Sequence, residues 1–422
     1  MVGKSRGATT AVPWVRMEWR SSGPAQCEVD MIDKADVIIV GGGVTALSTA
    51  LCLKQLGVER VTILERHAVG AGQSGRAAGV IRGTVQHPVV AATQLAGQAF
   101  FTDFASSTGI PLDVHRVGYL LIAQSHEREY VEQTAAVARQ SGCVVHAIDA
   151  AEAATRQPGL SAPQEGIYLY EPGALYVDPM PAVHAMMLAA VDAGVTIVEG
   201  CEVETIRVQR ERVVGVDTAT GPIDGGRLLL ATSVWGQPQL AALGVDLPVR
   251  PHIAQMAFFQ VPPASSSRLE TILFDTRANL YMRPEHDRQL FVGRKESEYL
   301  DPDDAPVNPD DYRQTATYGA VREMARRLAI SLPFMQRGFV HRTYACTYDV
   351  TPDEMPVLDR AAGIEGLFFA VGFSGGGFST SPWVGKRMAA LIMSGTPPDD
   401  LRLFSLGRFA ADALIEWSNT PA

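Results

Sequence analysis

The chain is short of cysteine, of bases and of long apolar runs, and each shortage excludes something. Its five cysteines, at 27, 52, 143, 201 and 346, form no C-x-x-C and no other metal-ligand spacing. A disulfide framework and a zinc knuckle are therefore excluded; reduced thiols in a cytoplasmic protein are expected, and no metal is. No apolar stretch approaches the ~18 residues that a membrane-crossing helix requires. Bases number 36 against 46 acids, a net charge of −10, which argues against nucleic acid and anionic membrane as partners. There is no internal repeat and no low-complexity block. What remains, 46% hydrophobic and 19% charged over 422 residues, is an ordinary globule with core enough for two lobes.

Residues 1–30 mix Ser, Gly, Pro, Arg and Trp without periodicity and without the apolar core of a signal peptide. The expectation is a disordered or spurious extension over 1–33, with Met17 or Met31 as alternative starts. Immediately beyond it stands the most informative stretch, DVIIVGGGVTA at 36–46. Four apolar residues run into G-x-G-x-x-A across Gly41, Gly43 and Ala46, followed by the helix opening Val44-Thr45. This is the turn by which a buried parallel strand passes a dinucleotide's pyrophosphate to a helix N-terminus. A side chain at either glycine would block the phosphates. The next apolar run, Val61–Leu64, ends in Glu65, 22 residues beyond Gly43, where a ribose-binding carboxylate of a βαβ unit belongs. Such an acid accepts from both ribose hydroxyls and repels a 2′-phosphate.

Helices are predicted near 89–106, 126–141, 179–193 (with Asp178 as cap and Pro179 at its first position), 309–329 and 382–394. Strands are predicted at 117–123, 144–148, 195–198, 212–218, 227–232, 253–261, 279–283, 289–293 and 367–371. The chain thus opens and closes with strand–glycine–helix units, the second through Gly372-Phe-Ser-Gly-Gly-Gly377. The fold class is α/β, a Rossmann-like nucleotide-binding domain beside a mixed-sheet lobe. The expected division is 34–116 with 172–250 and 340–422 for the former, and 117–171 with 251–339 for the latter.

Four segments together resemble the FAD-dependent D-amino-acid oxidase superfamily, in its sarcosine oxidase, glycine oxidase and dimethylglycine dehydrogenase branch. They are DVIIVGGGVTALSTA, ERHAVGAGQSGRAAGVIR, YDVTPDEMPVLD and LFFAVGFSGGGFSTSPWVGKRMA. The resemblance implies FAD between two lobes. Gly41, Gly43, Val44, Thr45 and Glu65 would hold the pyrophosphate and ribose, and Arg66 would lie beside the adenine. Ser74, Arg76, Ala77, Gly79, Val80 and Arg82 match the loop that runs past the pyrophosphate and over the flavin. Val203 matches the backbone partner of the adenine. Gly372, Ser374, Gly375, Gly376 and Gly377 would underlie the pyrimidine end of the ring, where backbone N–H groups and a helix dipole favour the charge of reduced flavin. Cys346, five residues before Thr351, matches the cysteine that attaches flavin covalently in some relatives; the other reading is a buried, unreactive thiol.

Several positions depart from the pattern. Ser233 stands where a glycine is usual, and Gly376 and Ser379 replace the histidine and the carboxylate-gripping lysine of sarcosine oxidase. Substitute cations are Arg82, Arg283 and Lys295, with Tyr281 beside them as a further substrate contact. Phe291 falls where sarcosine oxidase has the lysine that assists oxygen reduction, so slow reaction with oxygen and preference for a quinone, an electron-transfer protein or a dye are expected. The implied activity is oxidation of the C–N bond of an amino acid or N-alkylated amine, by hydride transfer to flavin N5 and hydrolysis of the imine. Two alternatives stand beside it: a flavin-binding subunit of a heteromeric dehydrogenase, and a hydroxy-acid oxidoreductase.

Overall fold

A computed structural model describes residues 33–294 and 307–416. The expectations for the first thirty residues and for Lys295 lie outside the described residues. Strand Val37–Val40 is buried along its whole length. Val37 and Ile39 enter one core, and Ile38 and Val40 enter another on the opposite face. That two-sided burial is why the sequence shows a continuous apolar run rather than alternation. The strand lies in a six-stranded sheet ordered Val357–Arg360, Leu367–Val371, Leu228–Leu230, Val37–Val40, Val61–Glu65, Thr196–Glu199. All neighbours are parallel except Val357–Arg360 against Leu367–Val371.

Helices Val44–Gln55, Pro88–Thr108, Pro179–Asp192 and Gly377–Ser394 cover one face of this sheet. The antiparallel meander Val203–Gln209, Arg212–Thr218, Gly221–Asp224 covers the other. The first and last of the four helices touch so closely that a Cβ on Gly385 would collide with the Ser48 hydroxyl. The helices that follow the two glycine turns therefore meet.

The second sheet has eight strands, ordered Phe339–Val350, Arg250–Gln260, Gln289–Arg294, Leu280–Glu285, Ile272–Asp275, Tyr119–Ala123, Ile167–Glu171, His146–Ile148. Its pairs are antiparallel except Ile272–Asp275 with Tyr119–Ala123. Ala257, Phe259, Met282, Leu290 and Val292 pack against helix Tyr318–Ser331. Met256, Phe258, Phe291 and Cys346 pack on the opposite side, against Ala78 of the first lobe. The architecture is the mixed α/β fold expected.

Three of the differences from the sequence expectation have a clear local form. The helix expected from 309 starts at Tyr318, because Thr317 caps it by accepting from the Ala320 N–H at 3.2 Å. The helix expected from 382 starts at Gly377 and runs through Pro382. Proline has no N–H for the Phe378 carbonyl, and the Ser381 hydroxyl donates to it instead at 2.9 Å. Strand Phe339–Val350 was not expected; its first four residues are exposed, and it pairs with Arg250–Gln260 at the sheet edge.

Candidate functional site

Between the lobes lies a cavity of about 850 Å³. One end is walled by Gly41, Gly43, Val44, Thr45, Glu65, Arg66, Ser74 and Val203. Gly41 has φ +101°, and a Cβ there would stand 2.5 Å from the Ala231 carbonyl oxygen, so this position tolerates only glycine. Glu65 accepts from the Gly42 N–H at 2.7 Å and from the His67 N–H at 2.9 Å, and Ser74 Oγ accepts from the Val44 N–H at 3.1 Å. Helix Val44–Gln55 has a glycine, Gly43, at its cap position and no acid in its first turn. Helix Gly377–Ser394, entering the same cavity from the far end of the chain, has Gly376 at its cap position and likewise no acid in its first turn. Two helix N-termini with glycine at the cap position thus face one space, an arrangement that suits a dianionic pyrophosphate and an electron-rich ring edge.

The walls also carry buried polar atoms without protein partners, Thr232 Oγ1 and Gln94 Oε1. Buried polar atoms are normally satisfied, so these two mark where a polar ligand completes the site. Ser374, Gly375, Gly376 and Gly377 line the wall, as do Arg76, Ala77 and Val80. Gly372 and Gly79 do not. The Gly372 N–H donates at 2.6 Å to Asp349, a buried carboxyl that desolvation pushes up to about 6. Gly79 is pressed against the Val177 carbonyl oxygen, which leaves no room for a Cβ.

The end of the cavity at Arg66 and Trp235 is closed by the segment before helix Tyr318–Ser331. Asp310 pairs with Arg66 and accepts from Trp235 Nε1 at 2.9 Å, and the Arg66 guanidinium lies 5.0 Å over the Trp235 ring. Arg66 holds the Asp310 carboxyl below its usual range. Tyr312 and Gln314 of the same segment also line the cavity. The sequence reading placed a helix here and missed this clasp, because an Asp-Asp pair after proline gives no sign of its distant partners.

On the second lobe's side the walls are Met256, Ile272, Phe274 and Tyr281, with Tyr119 and Arg82 beside them. Arg82 lies 5.0 Å over the Tyr119 ring and donates to the Thr84 carbonyl. Buried Glu171 fixes that loop, accepting from the Gly83 N–H at 2.8 Å, the Thr84 N–H at 2.9 Å and Gln98 Nε2 at 2.6 Å. Nothing in the sequence singles out this positioning glutamate.

Arg283 corrects an expectation, for it does not reach the cavity. It is 2% exposed, donates to the Ala78 carbonyl at 2.8 Å, and pairs with Glu285 at 3.2 Å and Asp178 at 3.4 Å. Two carboxylates neutralise it, and Tyr176 and Phe291 sandwich it at 4.6 and 5.2 Å. Asp178, expected as a helix cap, makes no capping bond because its carboxylate is turned toward Arg283 and His286. Arg294, next to Lys295 and passed over in the sequence, is 8% exposed and lines the cavity. Cys346 also lines it, with its thiol pushed up to about 12 by burial and pulled back by Arg76.

Comparison with known proteins decides the family. Residues 36–391 match the model described as DAO, FAD dependent oxidoreductase. The chain belongs to the DAO family. Its similarity to sarcosine oxidase subunit beta of Rhodobacter capsulatus is 26% identity over 91% of this chain and 90% of that one. Against the mitochondrial sarcosine dehydrogenase of Mus musculus it is 25% over 92% of this chain, which spans 42% of that longer protein. In fold it matches L-proline dehydrogenase from P. horikoshii with a TM-score of 0.82 at 22% identity, covering 91% of this chain and 100% of that one. As a DAO-family member the chain is an FAD-dependent oxidoreductase. Among the described residues, no helix is long and apolar enough to cross a membrane.

Proposed function

We propose that this cavity holds FAD with its adenosine end under the Asp310 clasp, and that Arg82 receives the carboxylate of a primary or secondary amino acid. The observation that carries the reading is Arg82 itself, on the cavity wall in a loop fixed by Glu171. A planar guanidinium binds a carboxylate in bidentate fashion, and the low-dielectric wall strengthens that pairing. Bound flavin supplies the two-electron acceptor for oxidation of the C–N bond. Gly41, Gly43 and the two helix N-termini bind its phosphates and carbonyl edge. Tyr281, Phe274 and Met256 exclude water and pack the substrate's alkyl groups.

The electron acceptor in this reading is a quinone, an electron-transfer protein or a partner subunit rather than oxygen. Phe291 fills the position of the oxidase lysine, and Arg283, which lies over its ring, is already matched by two carboxylates. Rapid reoxidation of reduced enzyme in air contradicts this. Cys346 is the wall residue that a covalent link would use, and Arg76 is the charge that favours its thiolate. Flavin left in an acid-precipitated pellet supports the link, and flavin wholly in the supernatant refutes it.

One observation favours a hydroxy-acid reading. His252 lines the cavity, and burial lowers its pKa, which favours the neutral imidazole that can accept a hydroxyl proton. Anaerobic addition of N-methyl amino acids, cyclic secondary amino acids and 2-hydroxy acids separates the two. Bleaching of the visible flavin band by an amine supports C–N oxidation. Bleaching by hydroxy acids alone, with every amine inert, overturns it.

A further inference from the structure

Outside the cavity, three residues remote in sequence converge on one point. His115 ends strand Val114–His115, Asp178 immediately precedes helix Pro179–Asp192, and His286 opens the turn after strand Leu280–Glu285. Their ligand atoms all lie within 4.8 Å of one another, and His286 Nε2 is 3.1 Å from Asp178 Oδ2. The His115 ring is stacked on Tyr176 with centroids 4.4 Å apart and stands edge-on to His286 at 5.9 Å. Its Nε2 is buried and has no hydrogen-bond partner. An imidazole that keeps one buried nitrogen without a partner, and whose ligand atom lies within 4.8 Å of those of a carboxylate and a second imidazole, has an electron pair to offer a metal.

We propose that His115, Asp178 and His286 form a binding site for a divalent transition metal of the zinc class, joining the second sheet to the helix N-terminus of the first lobe. Two imidazoles and one carboxylate are a recurrent zinc donor set, and nitrogen ligands select against magnesium and calcium. The second carboxylate oxygen, Oδ1, faces Arg283 at 3.4 Å, which orients the ligand as outer-shell partners do at known metal centres. The local charges suit a dication. Asp178 and Glu285 are negative, Arg283 is positive and its pairing consumes one of them, so one negative charge remains. His286, 66% exposed at its side chain, leaves the fourth position open to water. Arg283 also donates to the Ala78 carbonyl, so the metal would brace the loop that forms the flavin-side wall.

The test uses the full-length, tag-free flavoprotein, stripped with a chelator and titrated calorimetrically with zinc chloride. One saturable site is expected, unaffected by excess magnesium, together with a zinc-dependent rise in Tm. His286→Ala, at an exposed position that folding does not need, should weaken binding by more than the ~10-fold that loss of an outer-shell partner produces, and should abolish the Tm rise. His115→Gln should do the same. Absence of saturable zinc binding in the wild-type protein overturns the proposal. So does binding that is equally tight in His286→Ala, which would place the metal elsewhere.

Discussion

The two sides of the cavity are built by different means. On the side proposed for the nucleotide, the wall is largely backbone: glycines, two helix N-termini with glycine at the cap position and a few short polar side chains set by the turn geometry. On the substrate side, the wall is made of side chains carried by several strands and one loop, each aimed by partners far away in sequence. The first construction leaves little freedom in residue type, and the second leaves much. Substitutions should therefore be absolute in their effect on one side and graded on the other.

Gly41→Ala should produce the largest effect. Its added methyl meets the Ala231 carbonyl oxygen at 2.5 Å on a backbone with φ +101°, and the combined strain of about 3 kcal/mol should weaken FAD retention about 100-fold or more. Flavin content after gel filtration reads this directly. A Gly41→Ala variant that keeps its flavin would break the contrast between the two sides.

Asp349 joins the sides, since it sits on the second sheet's edge strand and holds the Gly372 N–H of the nucleotide turn. Burial raises its pKa to about 6, so the folded state holds a proton that the unfolded chain releases near the ordinary value of 3.8. The stability this proton contributes is present below about pH 4 and is lost as the pH rises to about 6. Asp349→Asn keeps an acceptor and stays neutral. Its stability relative to wild type should grow by about 3 kcal/mol between those limits, as denaturant unfolding at a series of pH values across that window would register. A pH-independent difference would show that the carboxylate is accommodated in its charged form.

Arg82→Met should act on the substrate side alone. Loss of a charge-assisted carboxylate contact of about 2 kcal/mol should lower kcat/KM roughly 30-fold, chiefly through KM, with flavin content unchanged. If flavin falls with activity, Arg82 belongs to the cofactor's phosphates. The smallest effect belongs to Asp310→Ala. Asp310 is half exposed, so its clasp on Arg66 should contribute under about 1 kcal/mol and speed FAD release only a few-fold. Release of FMN, which lacks the adenosine, should be unaffected.

The same contrast governs what could be read from the chain. G-x-G-x-x-A, Glu65 and the 372–377 turn were legible because local backbone geometry dictates those residue types wherever the rest of the chain lies. Arg283 was misplaced because the sequence shows that it lies on a strand, but not that Asp178 and Glu285 wait to neutralise it. Glu171 and Asp310 went unrecognised for the same reason: their partners lie in other elements. Thr351-Pro-Asp353 was legible as a motif but not in its role. Asp353 pairs with Arg408 at 2.7 Å and accepts from the Ile415 N–H, tying down the C-terminal segment rather than touching the cavity wall. The His115, Asp178 and His286 cluster shows the extreme case, since no spacing in the sequence connects these three residues.

The most direct test of the central claim, that glycine turns from opposite ends of the chain hold one dinucleotide, is the cofactor content of gently purified protein. Absorbance and mass analysis of the released or peptide-bound cofactor should give one FAD per chain in the wild type and next to none in Gly41→Ala. A colourless wild-type preparation that takes up no added FAD would contradict the account.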